Sequence, residues 1–347
     1  MPITMTNLSA GILPANLQTL IAAAQSNQTT TDIVTLTGDV AGSANILQPI
    51  STVIQPSAVT YAKMQNVSAD RLVGNPTGMA SAPSEISVGE GLGFSGSVLF
   101  ALLYNFLGGL TLSNDATTPN TVTDVAPGLC VDSTNATTIS FSTTFTKSIS
   151  TAWTVGSGNG GLGQGISLSA TTWYHVFVII NAGTADVYFD TSVTASNAPA
   201  GTTAFRRIGS VLTNGSSQIV PFTQKDDEFL WKTPIASVSG VTSSSVSAAK
   251  TMTVPTGVEV WAKIIGNVTE ISSATLLLIT APDMGTQAVN SPTGFFQIDS
   301  NVDSTPVNAD LTVRTNTSAQ VNVVANGAGG TYSLITYGWI DRRGRGN

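Results

Sequence analysis

Cysteine, histidine and charge are all scarce in this chain, and each shortage removes a class of chemistry. A single cysteine, Cys130, in 347 residues excludes an intrachain disulfide framework and a cysteine-rich zinc site, and it reads as a small core residue. A single histidine, His175, leaves one candidate for any imidazole-dependent triad or base. In an extended strand it shares a face with Trp173, Phe177 and Ile179, which favours a hydrogen-bonded structural histidine. Charged residues make up 10% of the chain, far below the level typical of soluble globular domains, while Ser, Thr, Asn and Gly are abundant. That balance points to β-rich proteins whose exposed strand faces carry hydroxyls and amides.

The formal charge of −7 comes with no basic stripe, so a nucleic-acid partner is not expected. The two small basic clusters, Arg342, Arg343 and Arg345 and then Arg206 and Arg207, read as solvated or locally paired arginines. Apolar runs such as Val98–Leu107 and Trp173–Ile180 fall well short of the roughly 18 residues of a membrane span, so no membrane insertion is expected. The first residues lack a basic stretch followed by an apolar run, so no secretory leader is expected.

Among the features present, Leu13, Leu17, Leu20 and Ile21 recur at the spacing of one helical face, with Pro14 suited to a first turn. A helix of about a dozen residues is marginal alone in water and needs a partner surface. From Thr29 to about Ser97, short apolar dyads alternate with Gly, Pro, Ser and Asn, too briefly to enclose a core. The frequency of β-branched residues favours completion by identical chains wound together over disorder.

Residues 106–234 predict a β-sandwich. Trp173–Ile180 is apolar on both faces, as in a central buried strand, and leads through a five-residue connection into Asp186–Asp190. Asn214-Gly215 marks a hairpin between 208–213 and 217–220. Residues 237–247 read as a Ser-rich linker, and 235–347 as a second small sandwich or jelly roll built on strands near 258–265, 274–279, 310–314, 320–324 and 332–340. The expected domains are therefore 1–105, 106–234 and 235–347, and the expected class is mainly β.

Chemistry is sought and largely not found. Gly156-Ser157-Gly158-Asn159-Gly160-Gly161 has the spacing of a dinucleotide fingerprint, but the residues after it cannot open a helix. Ser247 and Lys250 have a serine-lysine spacing without companion motifs. Asp226-Asp227-Glu228 reads as a solvated turn or a weak calcium site. No catalytic residue, metal ligand or cofactor is assigned. Trp153, before the glycine-rich loop, and Asn159 within it are the candidate receptor contacts, because an exposed indole can stack on a sugar face. Trp173, Trp231, Trp261 and Trp339 read as core.

Val59-Thr60-Tyr61-Ala62-Lys63-Met64 and Gly91-Leu92-Gly93-Phe94-Ser95-Gly96 resemble connectors in the tail-fibre and other host-facing fibre proteins of tailed bacteriophages. The segments 172–177, 205–217 and 227–231, and the ending Tyr337–Arg345, look like a β-domain of phage and prophage structural proteins. The resemblance implies a virion fibre, usually a homotrimer, whose N-terminal region (Leu13, Leu17, Leu20, Ile21) attaches to a tail, baseplate or capsid protein. Its β-domains would meet a host cell-surface glycan or protein. A head fibre or capsid decoration protein is the near alternative. A polysaccharide depolymerase and a bacterial adhesin are kept from other classes.

Overall fold

The computed structural model describes residues 17–19, 22, 33–45, 48–88, 92–95, 97–101, 104–270, 275–285, 287, 289, 297–299 and 306–345. The chain divides into two compact units, Met1–Gly89 and Glu90–Asn347, and it is mainly β. No helix among the described residues is long and apolar enough to cross a membrane. Of the expected N-terminal helical face, Leu17 is helical and exposed. Leu13, Leu20 and Ile21 lie outside the described residues.

The first unit consists of short strands. Ile33–Leu36, Val40–Asn45 and Val53–Ile54 form one antiparallel sheet, and Arg71–Gly74 pairs with Ser84–Ser87 in a separate ribbon. A single turn of 3-10 helix, Tyr61–Lys63, lies between them, and Lys63 bonds both the Asp39 carboxylate and the Ala58 carbonyl. Ala58, at 9% exposure, is the one buried apolar residue among those described in this unit. Strands this short and this open bury too little apolar surface to offset the conformational entropy of ordering them.

The second unit carries four sheets and a hairpin, Leu92–Ser95 with Val98–Ala101. A seven-stranded sheet runs in the order Thr202–Leu212, Trp173–Asn181, Thr184–Asp190, Gly160–Leu162, Phe145–Ala152, Val122–Val125 and Leu112–Asn114. Trp173–Asn181 is buried along nearly its whole length, as its two-faced apolarity predicts. It reverses into Thr184–Asp190 through only two residues, Ala182 and Gly183, both at positive φ (47° and 80°). That is the turn geometry matching the twist of a tight hairpin, so the connection is two residues and not five. At Asn214-Gly215 the chain also reverses, but the Asn214 side chain caps a wider loop by accepting from the amides of Ser216 and Gln218. The return is then a lone bridge, Thr213 to Ile219.

A three-stranded sheet (Thr138–Phe141, Gly128–Val131, Leu107–Gly109) contributes Cys130 and Ile139 to the same core as Val176 and Val178. Burial pushes the Cys130 thiol up to about 12, in keeping with a core role. The five-stranded sheet has the order Phe222–Lys225, Glu228–Thr242, Gly330–Ile340, Trp261–Glu270 and Val307–Arg314. It faces a four-stranded sheet of Ala248–Thr251, Gln320–Ala325, Leu276–Thr280 and Gln297–Asp299. The two approach closely at Gly266, where an added Cβ would lie 2.4 Å from Ile298 Cδ1.

The expected boundary at 234/235 falls inside one continuous strand, Glu228–Thr242, which also takes up half of the expected linker. Hydrogen bonding explains the difference, because this strand pairs with Gly330–Ile340 and its serines and threonines make side-chain bonds such as Ser237 to Thr336 (2.7 Å). Aromatic packing crosses the same boundary. Trp173 lies 5.8 Å from Trp231 and 5.6 Å from Trp339, and Phe229 stacks on Trp339 at 4.9 Å. One hydrophobic core thus runs from Leu107 to Trp339.

Candidate ligand-binding cleft

The two basic clusters, far apart in sequence, meet at one cleft of about 1010 Å³. Thr202–Leu212 carries Phe205, Arg206 and Arg207 to its wall. The end of Gly330–Ile340 continues into Asp341–Arg345, which turns sharply at Arg343 and Gly344, both at positive φ (53° and 73°). Trp261 begins one neighbouring strand and Arg314 ends the next, in register with each other, and Trp261 is also in register with Ile340. Tyr104, Asn105, Ser133 and Asn135 line the cleft from the N-terminal side of this unit.

Ion pairs hold most of this wall in place. Arg207 grips buried Asp341 with both terminal nitrogens, while Asp341 also accepts from the Arg343 amide at 2.8 Å. Burial pushes the Asp341 pKa up, but the Arg207 guanidinium together with the Arg343 amide and charge more than offsets it and holds the carboxyl below its usual range. Arg343 and Arg345 share Asp227. They also donate to the carbonyls of Gly109 (3.2 Å) and Leu107 (3.0 Å), tying the chain end to the three-stranded sheet. Arg314 pairs with Glu259 (3.2 Å) and with Asp283.

Two arginines are different. Arg206 is 4% exposed, donates only to the backbone carbonyls of Asn105 and Arg343, and leaves Nε without an acceptor. Arg342 is exposed and forms no ion pair among the described residues. Beside them, Trp261 is 37% exposed at the cleft wall, which corrects its expected core placement. As the first residue of its strand, at the end of the five-stranded sheet, it lacks a covering layer.

His175 lies behind this wall, buried, with Nδ1 facing Ser210 Oγ (2.8 Å) and Arg207 Nε (3.3 Å). Burial first, then the adjacent guanidinium, pushes its pKa down to about 3, against a smaller opposing effect of Asp341. The ring is neutral, and its Nδ1 serves as an acceptor that orients Arg207.

Trp153 is placed differently from an exposed platform. It is half-buried against Phe177, Ile179, Tyr188 and Ala195, with Nε1 buried and unpartnered. Its ring lies 5.3 Å from Lys147 Nζ. Lys147 and Asp186 form a fully buried ion pair at 2.9 Å, so the indole acts as a lid on that pair. Asn159 is exposed, but its side chain closes the loop by donating to the Val155 carbonyl at 2.7 Å. The glycines around it meet backbone demands: Gly156 and Gly158 have φ of 102° and 82°, and the Gly156 amide donates to Asp186. Asp226 makes the turn between two strands, with φ of 53°. Its neighbours Asp227 and Glu228 are spent on arginines and on Lys263, so this trio is not arranged to hold calcium. Ser247 precedes the edge strand Ala248–Thr251 and Lys250 lies within it.

Residues 24–107 match a family described as a repeat of unknown function, DUF5907. Apart from Tyr104, Asn105 and the edge at Leu107, the cleft and its supports lie beyond that match. No curated protein matches the chain.

Proposed function

We propose that this chain is a subunit of a homotrimeric virion fibre of a tailed bacteriophage, attached through its N-terminal region and binding the host surface with residues 90–347. The observation that carries the reading is the apolar surface of the first unit, where Ile33, Val53, Ile54, Val59 and Met79 are all more than half exposed. Such a density of exposed apolar side chains on open-edged strands and the bends between them calls for covering by other chains. The repeat match falls on the same stretch, as expected of a shaft module. In this reading the second unit is a pair of fused β-sandwiches, with the tryptophan cluster as their common core.

Binding is favoured over turnover by the state of the cleft carboxylates. Glu259 and Asp341 are both engaged by arginines, which occupies their oxygens, unlike the free acid and base of a glycosidase. Light scattering of the purified chain tests the assembly. A mass near three times 35.6 kDa is expected, and a stable folded monomer at micromolar concentration would overturn the fibre reading.

A further inference from the structure

The cleft wall of the second unit is positive in a chain that is otherwise acidic. Among the described residues six arginines line it against two carboxylates, Glu259 and Asp341. Adding the two outer partners, Asp227 and Asp283, still leaves the arginines in excess. The excess is local, since the whole chain carries −7. It has an identifiable source in Arg206 and Arg342, the two cleft arginines without a carboxylate.

A guanidinium that is 4% exposed, with an unpartnered Nε, only carbonyl acceptors and no carboxylate nearer than the Coulombic reach of Asp132, carries a desolvation cost that the fold offsets only in part. An anion arriving in the cleft would supply the missing charge. Arginine suits this role because its planar fork matches carboxylate and phosphate oxygens. The same cleft also offers aromatic surface: Trp261 is 37% exposed and Tyr104 is 76% exposed. Charged donors beside exposed aromatic rings are what an acidic sugar requires, with the ring face stacked and the acid group held.

We infer that this cleft binds an acidic saccharide, a sugar bearing a carboxylate or phosphate, with Arg206 and Arg342 taking the anionic group and Trp261 stacking on the sugar face. This rests on the reading of the chain as a surface-binding protein, but it does not depend on trimeric assembly. Negative charge on the rest of the surface fits the same ligand, because it disfavours adhesion anywhere but the cleft and so imposes one orientation.

The test is binding of the full chain to an immobilised panel of oligosaccharides, with uronate-, sialate- and phosphate-bearing members beside neutral ones of equal length. Signal is expected on acidic members only, and it should fall as salt is raised. Arg342→Glu and Trp261→Ala alter exposed side chains, so an unchanged melting temperature would certify their folding. Each should weaken binding by about tenfold or more. Preference for carboxylate or for phosphate members identifies the acid group. Equal binding to neutral and acidic members, no binding to any acidic member, or full binding by both folded variants would overturn the inference. Any of these could occur with the light-scattering mass still trimeric, so loss of the saccharide assignment is separable from loss of the fibre reading.

Discussion

The two units of this chain use the same residue types to opposite ends. In residues 90–347, Val, Ile and Leu fill one continuous core, sealed by a tryptophan cluster. In the described part of residues 1–89, similar residues lie on short strands and remain open to solvent. The difference is the sheet around each strand. Strands of nine or eleven residues, as at Trp173–Asn181 or Gly330–Ile340, anchor sheets of seven and five strands against which short strands such as Leu276–Thr280 are buried, whereas Val53–Ile54 and Val40–Asn45 belong to a three-stranded sheet whose described side chains stay largely open. The second unit encloses its core within one copy, and the described part of the first unit leaves its apolar side chains open, as the proposed fibre assembly would use.

That contrast can be broken most decisively in the first unit. Substituting Val53→Asp and Ile54→Asp together changes two side chains that are each 61% exposed in a single copy, so a monomer would tolerate them. In a trimer they would place charges in an apolar seam at a cost of several kcal/mol per chain, on the order of ten across the assembly. Dissociation to monomers by light scattering is expected, and an unchanged trimer would remove these strands from the interface.

In the second unit the largest single loss should come from Lys147→Met. Lys147 and Asp186 are both fully buried, and Lys147 also donates to the carbonyls of Thr154 (2.5 Å) and Gly160 (3.3 Å). Removing the ammonium strands a buried carboxylate at a cost of about 3–5 kcal/mol, whereas Lys147→Met with Asp186→Leu should recover part of it. Denaturant unfolding measures both variants, and equal losses for single and double changes would mean that the pair is not coupled.

The pH dependence is smaller per pH unit and has a defined window. The folded state holds His175 neutral, with a pKa near 3 against an unperturbed 6.5. The unfolded chain therefore binds the extra proton between those values. Stability from this group is fully present above about pH 6.5, falls by up to about 1.4 kcal/mol per unit as pH drops through the window, and levels off near pH 3. Asp341, whose folded pKa is depressed, loses its contribution in the same direction, but only below the carboxylate range. Between about pH 6.5 and 4.5, then, the slope belongs to His175. A His175→Gln variant, with an amide available to Ser210, should flatten that part of the curve, and an unaltered slope would reassign it.

Much of the second unit was legible because its strands follow simple rules. The two-faced apolarity of Trp173–Ile180 gave the central strand, the strands near 310–314 and 332–340 fall within observed ones, and 258–265 overlaps Trp261–Glu270. The linker at 237–247 was misread because hydroxyl side chains that bond across a sheet have the same composition as a solvated tether. The cleft was legible only in parts. Arg206-Arg207 and Arg342–Arg345 are visible as clusters, but their meeting depends on how two separate sheets pack, which the spacing of residues within either strand does not encode. Trp261 was hidden for a related reason: strand periodicity tells which face a side chain takes, and says nothing of where the covering layer ends.

The smallest predicted effect sharpens the comparison most. Val155 in the second unit is 56% exposed, close to the 61% of Ile54 in the first. Its backbone carbonyl accepts from Asn159, but a substitution at Cβ leaves that bond in place. Val155→Asp should thus shift stability by no more than about 0.5 kcal/mol, the ordinary range for a surface position without a special contact. Assembly should be unaffected. If exposure in a single copy were a sufficient guide, Val155 and Ile54 would respond alike. On the proposed fibre reading they differ, because one side chain would meet water and the other a neighbouring chain. Melting temperature and light-scattering mass for Val155→Asp and Ile54→Asp, measured side by side, decide the matter: equal tolerance at both sites would place the residue 54 surface in solvent and leave the apolar strands of the first unit without the partner proposed for them.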